Sequence, residues 1–371
     1  MLEQLQKWRR DLHQIPELGL EENQTTAYLK NELIKMGYDP KPLPQLKTGC
    51  YVYLDYGFEK CVAFRTDIDA LPICEANDIA FKSGHEGIMH ACGHDGHMAA
   101  MLGFAYRLRD ENVHPQVNIL LIFEPAEEGP GGAKIIVESG LLKEFNVEAI
   151  FGIHLMPTIE EGVLATKKDG LMAECGEIDI HITGRDAHAG LPQNGIDSLL
   201  VAAHLLEDYQ QILTRMKSPF DPAIINIGQI HGGTARNSVA KECEMHGTMR
   251  TYSEDVFNFL VKKMEDFNKG AEISYGCKIE FSCPPLYPPV LNDEKLVKFL
   301  SEIDDIVLLD EPLMLAEDFS FYQKAVPGVF VFVGTKSENY QSGLHTDHFN
   351  FDEKVLKRAV EMYIKIACQY Q

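Results

Sequence analysis

The sequences CVAFRT at residues 61–66 and VNILLIF at residues 117–123 are short apolar runs with the length of buried strands. Between them, residues 97–109 (HMAAMLGFAYRLR) form a helical segment. A strand, a helix and a second apolar strand in succession are typical of an α/β sheet covered by helices. Further strand-like runs at residues 51–56 and 149–155 extend this pattern. We therefore predict an α/β domain in which helices cover a mixed sheet.

The middle of the chain has a different pattern, which predicts an inserted α+β domain. In order, this region contains a strand (177–183), a helix (196–216), two strands (223–230 and 241–250), a helix (256–269) and a strand (272–283). This β-α-β-β-α-β order is ferredoxin-like, and the proline-rich residues 284–289 (PPLYPP) then predict a stiff linker. We predict a first domain of residues 1–174 and 286–371, with residues 175–285 inserted into it as the second.

Charge and hydropathy exclude two classes of partner. The 371-residue chain has a formal net charge of −22, and its acidic residues are spread along the sequence without a basic stripe. Nucleic acids and anionic membranes bind clustered Lys and Arg side chains, so we expect neither partner. No apolar run reaches the roughly 18–20 residues that span a bilayer. The nine cysteines are odd in number and scattered, which favours a reduced, cytoplasmic setting.

Residues 89–97 (MHACGHDGH) place three histidines, one cysteine and one aspartate in a single stretch. Cys92 and His94 alternate, so in an extended segment both side chains would project to the same side. A thiolate beside a neutral imidazole suits a transition metal such as zinc and suits magnesium or calcium poorly. The alternative is a loop that is simply rich in histidine, but these residue types all fit one ligand chemistry. The stretch therefore predicts a metal site.

Other candidate ligands follow the ends of predicted strands, where sites form in α/β folds. They are Asp67 and Asp69 after residues 61–66, Glu127 and Glu128 after residues 117–123, His154 at the end of residues 149–155, and His345 beyond a strand at residues 329–333. Each has a structural alternative when taken alone: a turn cap for Asp69, solvated charge for the glutamates, a satisfied core histidine for His154. Their common position at strand ends instead indicates a single site.

The adjacent Glu127 and Glu128 suit a hydrolytic site. One carboxylate can bind a metal ion while its neighbour takes a proton from water, whose pKa a metal lowers from about 16 towards roughly 7. The same glutamate can then pass this proton to a leaving amine as a general acid. The pair therefore predicts hydrolysis of an amide.

Nearly the whole chain, from residues 10–17 (RDLHQIPE) to residues 343–346 (GLHT), resembles the metal-dependent amidohydrolases of the aminoacylase and carboxypeptidase type. The MHACGHDGH motif is similar to that of the branch with hippurate hydrolases, auxin-conjugate hydrolases and N-acetyldiaminopimelate deacetylases. The resemblance implies two divalent metal ions, with zinc expected first and manganese, cobalt or nickel as alternatives. The implied ligands are Cys92, which would bridge both ions where other branches have aspartate, and His94, Glu128, His154 and His345.

The resemblance also implies roles for the neighbouring residues. Glu127 matches the general base. Asp69 matches the aspartate that orients a metal ligand, whereas Asp67 stands where other branches place a histidine ligand, so we favour Asp69. His90 and His97 are expected beside the ligands rather than among them.

The inserted domain resembles the lid of the same family, which dimerises, so a homodimer through this domain is implied. His188, within residues 186–190 (DAHAG), would polarise the substrate carbonyl in its own site or in the partner's. Asn237 and Arg250 lie in segments similar to those that hold the substrate carboxylate, although Arg250 could instead be a solvated charge at a strand end. Residues 190–194 (GLPQN) depart from the Pro-His of many relatives, which leaves the acyl group open.

The leading hypothesis is therefore an enzyme that hydrolyses the amide of an N-acyl amino acid, a small-molecule substrate. By resemblance the preferred substrate is N-acetyl-LL-2,6-diaminopimelate, whose deacetylation yields LL-diaminopimelate and acetate in lysine biosynthesis. Hippurate-like or other scavenged conjugates are the alternative. A metal-binding protein without catalysis is disfavoured because Asp69 and Glu127 are both present. A structural zinc site fits poorly because no second cysteine lies near Cys92.

Overall fold

The computed structural model of the protein describes residues 1–370. Within that range the strands form a seven-stranded mixed sheet, a five-stranded antiparallel sheet and two short two-stranded pairs. In chain order they are β1 (Cys50–Leu54), β2 (Cys61–Asp67), β3 (Asn118–Glu124), β4 (Val147–Glu160), β5 (Leu164–Thr166), β6 (Asp169–Met172), β7 (Glu174–Thr183), β8 (Ala187–His188), β9 (Ala223–Gly232), β10 (Ser238–Val239), β11 (Glu242–Thr251), β12 (Lys278–Ser282), β13 (Pro285–Tyr287), β14 (Val290–Asn292), β15 (Ile306–Leu308) and β16 (Gly328–Lys336).

Ten α-helices accompany these strands among residues 1–370. They are α1 (Leu2–His13), α2 (Asn23–Lys35), α3 (His94–Arg107), α4 (Gly132–Glu138), α5 (Leu141–Glu144), α6 (Ser198–Gln211), α7 (Glu254–Tyr275), α8 (Glu294–Ile303), α9 (Ser320–Ala325) and α10 (Leu356–Gln369). Short 3₁₀ turns occupy Pro192–Asn194 and Glu353–Val355, and a π-helical turn at Ile212–Met216 extends α6. None of these helices combines the length and apolar composition that a bilayer span requires.

The large sheet belongs to the first of two units, which contains Met1–Leu171, Leu291–Glu311 and Asp318–Gln371. Its strand order is β1-β3-β2-β4-β16-β5-β15, with parallel pairing from β3 through β16. Every residue of β2 and β3 is buried, and the Phe64 ring of β2 contacts aromatic rings of α3 and α10. The predicted mixed sheet covered by helices is confirmed.

The second unit contains Met172–Val290 and Pro312–Glu317. Its main strands lie in the order β12-β7-β11-β9, and all neighbouring pairs are antiparallel. Burial alternates along β7 because alternate side chains of this strand pack against α6 and α7. β11 separates β7 from β9, and β7 separates β11 from β12, which is the split arrangement of a ferredoxin-like unit. The predicted α+β domain is confirmed.

The second unit differs in detail from the sequence-based expectation. α7 continues to Tyr275 and β12 begins only at Lys278, because Gly276 ends the helix with a left-handed φ of 71°. The proline-rich residues 284–289 are more than a linker, since β13 pairs with β7. Residues 312–317 also join this unit, where the Ala173 N–H donates to the carbonyl of Leu315 at 2.8 Å. The unit therefore extends beyond the predicted bounds 175–285.

Candidate metal centre

The carboxyl ends of β2 and β3 lie side by side in the large sheet and lead into most of the acidic site residues. Asp69 follows β2, and Glu127 and Glu128 follow β3. The expectation that His154 ends its strand is wrong, because β4 continues to Glu160 and His154 projects from within it. Parallel pairing of β2 with both β3 and β4 nevertheless brings these separate segments of the chain to one edge of the sheet.

Cys92 and His94 come together through a helix start and not through an extended segment. Gly93 has a left-handed φ of 93°, and α3 begins at His94 rather than at residue 97. Glycine tolerates this backbone conformation, and a Cβ added here would lie 3.1 Å from the side chain of Leu155. The turn leaves the thiol of Cys92 and ring nitrogens of His94 and His154 within 4.8 Å of one another, and all three residues are buried.

Cys92 is shared by two groups of potential ligand atoms. It lies with His94 and His154 in the first group and with Glu128 and His345 in the second, and the donor atoms of each group lie within 4.8 Å of one another. The five ligands that the resemblance implies thus meet around one cysteine. A sulfur atom that belongs to two donor groups is positioned to bridge two cations.

The His94 imidazole has one ring nitrogen held and the other directed at carboxylates. Its Nδ1 lies 2.9 Å from the carbonyl oxygen of Asp69. Its Nε2 is buried, has no hydrogen-bond partner among residues 1–370, and lies 3.8, 3.9 and 4.0 Å from oxygens of Asp67, Glu127 and Glu128. Burial lowers the pKa of His94, but Asp67, Asp69 and Glu128 outweigh it and raise this pKa to about 10. The site therefore stabilises positive charge at Nε2, either a proton or a metal cation.

His154 is held in the form that binds a metal ion. Its Nδ1 donates to the carbonyl of Leu155 at 2.7 Å, and burial lowers the pKa of the imidazole to about 3. The neutral ring keeps a lone pair on Nε2, which lies 3.2 Å from Cys92 Sγ. Burial and the carboxylates of Glu128 and Glu127 raise the pKa of the Cys92 thiol well above its usual range. A thiolate here needs a compensating cation, so the donor set fits divalent metal ions.

Asp67 and Asp69 have different surroundings. Both carboxylate oxygens of Asp67 have partners. One lies 2.8 Å from Nδ1 of His97, and the other accepts a hydrogen bond from the Arg65 guanidinium at 2.9 Å. Asp69 accepts the backbone N–H of Glu128 at 2.9 Å and lies 3.3 Å from Nδ1 of His94. Asp69 thus contacts two of the implied ligands, which favours it as the orienting aspartate.

The other two histidines of the motif lie outside the two donor groups that contain Cys92. Nδ1 of His97 faces Asp67, and its Nε2 accepts the backbone N–H of Leu155 at 2.9 Å, so both ring nitrogens are engaged. His90 is buried, and burial lowers its pKa to about 3. Among the described residues, neither histidine shares a donor group with Cys92, although His97 belongs to a third potential group with Asp67 and His94.

His345 reaches the motif from the far end of the chain. Its backbone has a left-handed φ of 58°, and its N–H donates to the carbonyl of Ala91 at 2.9 Å. Its Nε2 lies 3.2 Å from Oε1 of Glu128. Burial raises the pKa of Glu128, but the contact with His345 and the charge of His94 outweigh burial and lower it overall. Glu128 is therefore an ionised carboxylate beside Cys92.

A buried ion cluster beneath the ligands was missed by the sequence analysis. The Arg65 guanidinium lies 2.9 Å from Asp67, 2.6 Å from Glu124 and 2.7 Å from Asp318, and none of these four side chains is exposed. The cluster joins the carboxyl ends of β2 and β3 to the start of α9. An arginine within the apolar run CVAFRT is the signal that could have revealed it, because a buried charge requires partners.

Replacing Arg65 with Met is expected to lower the free energy of unfolding by about 3–5 kcal/mol, because three buried carboxylates would lose their shared cation. Urea unfolding of the two proteins measures this difference. The control is Lys262→Met, which removes an exposed lysine lying 3.0 Å from Asp266; its effect should be far smaller. Equal effects for the two variants would contradict the structural role of the cluster.

The predicted substrate residues of the second unit form two separate groups. His188 in β8 pairs with Ser238 in β10, and the carbonyl of Asn237 accepts the Ala189 N–H at 3.0 Å. Arg250 lies opposite Cys175, near the other end of β11. Arg250 lies eight residue steps along β11 from Glu242, the first residue of the strand, which corresponds to about 26 Å. Within this unit, Asn237 and Arg250 are therefore not brought together around one carboxylate.

The sequence of the chain is similar to those of known proteins. Residues 63–369 match the sequence model of peptidase family M20/M25/M40. The chain is 37% identical over 369 residues to an N-acetyldiaminopimelate deacetylase of Bacillus subtilis (strain 168), covering 97% of each chain. It is 35% identical over 385 residues to an uncharacterised hydrolase of Staphylococcus aureus (strain bovine RF122 / ET3-1), covering 100% of this chain and 99% of the relative.

A solved structure shows the same relationship. The chain superposes with a TM-score of 0.86 and 32% identity on a dinuclear metal binding peptidase of the M20 family from Bacillus subtilis, covering 99% of this chain and 97% of the other. The resemblance first seen in the MHACGHDGH motif is thus confirmed over the full fold. Because the family match and both relatives span most of its length, the chain belongs to the M20/M25/M40 peptidase family.

Proposed function

We propose that the protein is a metal-dependent deacylase of N-acyl amino acids, with N-acetyl-LL-2,6-diaminopimelate as its substrate. The observation that carries this proposal is that Cys92 belongs to two donor groups while Glu127, outside both, lies 3.9 Å from Nε2 of His94. The name of the Bacillus subtilis relative supports the choice of acetyl group and amino acid. The products would be LL-diaminopimelate and acetate, formed in lysine biosynthesis. The free state of all nine cysteines fits a reducing cytoplasm.

Five residues would hold two divalent ions around Cys92. His94 and His154 complete one donor group, and Glu128 and His345 complete the other. Thiolate, imidazole and carboxylate ligands together suit zinc, with manganese, cobalt or nickel as alternatives. When bound, such ions acidify water and polarise an amide carbonyl.

Glu127 would move the protons of the reaction. Its side chain is only 7% exposed, so bulk water does not compete freely for its carboxylate. Glu127 takes a proton from the water whose oxygen bonds to the acetyl carbon. It then gives that proton to the amine nitrogen as the C–N bond breaks, which releases acetate and the free amino acid. Asp69 would keep the loop of Glu127 in place through its hydrogen bond to the next residue, Glu128.

His188, Asn237 and Arg250 would bind substrate from the second unit. His188 and Asn237 lie at the two-stranded pair of β8 and β10, whereas Arg250 lies near the carboxyl end of β11, so one unit does not place all three around one small molecule. We therefore assign the two groups to the active sites of different subunits in a homodimer. Strand β9 is an edge of the second sheet. Exposed apolar side chains on β9 and α6 support an interface there: Leu199, Leu200, Ile224 and Ile230.

Hybrid dimers test this assignment. His188→Ala and Glu127→Gln chains are each expected to be nearly inactive, but dimers containing one of each should recover turnover. In the hybrid, the site with an intact Glu127 receives an intact His188 from the partner subunit. The measurement is deacetylation by co-expressed, differently tagged chains purified through both tags. If each site uses its own His188, the hybrid stays as inactive as its parents.

A substrate panel tests the reaction. The metal-loaded protein should hydrolyse N-acetyl-LL-2,6-diaminopimelate with a kcat/KM well above its value for hippurate, and release acetate and free amine in equal amounts. Fast hippurate cleavage with little deacetylation would favour the second candidate, a hydrolase of scavenged conjugates. That candidate has support from residues 190–194 (GLPQN), which depart from the pattern of many relatives. A protein that binds metal but cleaves neither amide would refute both.

A further inference from the structure

The segment between α1 and α2 contacts both loops that supply the acids of the site. We propose that Glu22, in this segment, is a positioning residue that holds Glu127 in place through the backbone of Ala126. This inference rests on the proposed function, because it takes Glu127 as the general base. Neither the metal ligands nor the substrate touch Glu22 in this assignment, so any effect on catalysis must pass through the loop.

Hydrogen bonds to buried carboxylates hold the backbone on both sides of Glu127. Oε1 of Glu22 accepts the N–H of Ala126 at 2.9 Å, and Oδ2 of Asp69 accepts the N–H of Glu128 at 2.9 Å. Glu22 and Asp69 are both 0% exposed. Bonds from an N–H to a buried carboxylate are stronger than neutral ones. Glu127 lies between Ala126 and Glu128, so its backbone is held on both sides.

The loop needs such support because its backbone is strained. Ala126 has a left-handed φ of 63°, which non-glycine residues adopt only when their surroundings impose it. The segment of Glu22 packs closely on this loop, since a Cβ added at Gly19 would lie 2.5 Å from the carbonyl oxygen of Gly129. The same segment holds the loop after β2, because the carbonyl of Glu17 accepts the N–H of Ala70 at 2.8 Å. The connection between α1 and α2 thus binds both the loop that contains Asp69 and the loop that contains Glu127.

Helix capping does not explain why Glu22 is buried. Glu22 precedes α2, but its side chain makes no capping hydrogen bond to that helix. Glu17 caps the start of α2 instead, because its carboxylate accepts the N–H groups of Gln24 and Thr25 at 3.1 and 2.9 Å. Burial raises the pKa of Glu22 to about 7, and in either protonation state Oε1 keeps a lone pair for Ala126. A neutral amide at this position would keep the same acceptor.

The test compares Glu22→Leu, Glu22→Asp and Glu22→Gln with the matched control Glu17→Leu, which weakens the same segment without touching the loop of Glu127. Glu22→Leu removes the hydrogen-bond acceptor. Glu22→Asp shortens the side chain by one methylene, which moves the carboxylate away from the Ala126 N–H. Both should lower kcat by about 10- to 100-fold, with KM and bound metal changed by less than about threefold. Glu22→Gln should restore kcat to within about threefold of the wild type. Glu17→Leu should lower the melting temperature but keep kcat.

Hydrogen exchange of the peptide containing Ala126 gives a readout that does not depend on turnover. Exchange should accelerate in the Leu and Asp variants and stay slow in Glu22→Gln and Glu17→Leu. Unchanged exchange and kcat in Glu22→Asp, or an equal loss of kcat in Glu17→Leu, would overturn the positioning role, even where the Leu variant does not fold. If the wild type cleaves no N-acyl amino acid, the proposed function fails, while exchange still decides whether Glu22 holds the loop.

Discussion

Glu127→Gln is expected to lower kcat by about 10²- to 10⁴-fold, the contribution typical of a general acid and base. Its carboxylate lies 3.9 Å from Nε2 of His94 and is outside both donor groups that contain Cys92. The amide has nearly the same size but cannot accept and return a proton. Bound metal and KM should therefore stay close to the wild-type values. Steady-state kinetics together with metal analysis of the same preparation measures both.

Glu128, the next residue in the chain, is expected to behave differently. Glu128→Gln should lose metal as well as turnover, because Glu128 belongs to a donor group with Cys92 and His345. An exposed residue of the same type, Glu138, serves as the control, and Glu138→Gln should change neither quantity. Turnover of Glu127→Gln at the wild-type rate would remove Glu127 from the mechanism. Loss of its metal would instead make it a ligand.

Cys92→Ala is expected to release metal from both halves of the site and lower kcat on the order of 10³-fold or more. The reason is that Cys92 is the one residue common to the group with His94 and His154 and the group with Glu128 and His345. Removing any other ligand affects one group first. Elemental analysis of dialysed protein, alongside turnover, measures the loss.

Two further substitutions make this test specific. Cys92→Asp should retain more metal than Cys92→Ala, because a carboxylate can also bridge two cations. Cys74→Ala removes an exposed thiol and should leave metal content and turnover unchanged. A Cys92→Ala protein with full metal content would show that the sulfur is not a shared ligand.

The central strands could be predicted from sequence because their burial depends on local composition. β2 extends one residue beyond the predicted run 61–66, and β3 is shifted by one residue at both ends from the predicted run 117–123. Strands of a parallel sheet are buried on both faces, so they occur as nearly continuous apolar runs. The β-α-β-β-α-β order of the second unit was equally readable, because each of its elements has its own periodicity.

Element boundaries were less predictable because single glycines decide them. Gly93 turns the chain into α3, so the helix includes His94, and Gly276 ends α7 six residues after the predicted position. A left-handed glycine can precede a helix or end one, and the residue type alone does not say which. This ambiguity explains why the helix was predicted to begin at residue 97, three residues after His94.

The site residues were identifiable by type, but their partners were not. Cysteine, histidine and paired glutamates indicate metal and proton chemistry wherever they occur. The bonds that place them join distant parts of the chain: Ala91 to His345, Glu22 to Ala126, and Arg65 to Asp318. Such contacts follow from tertiary packing, which no local pattern encodes. No local motif marks Glu22 as a residue of the site.

The position of the inserted unit also affects how the protein is made on the ribosome. β4 ends at Glu160, but its parallel partner β16 begins only at Gly328. At about 5–20 residues per second, translation leaves β4 without this neighbour for several seconds or longer. The second unit, whose strands lie between residues 174 and 287, emerges complete during that interval. In the nascent chain, the edge of β4 that pairs with β16 therefore stays without its partner until after the strands of the second unit have been translated.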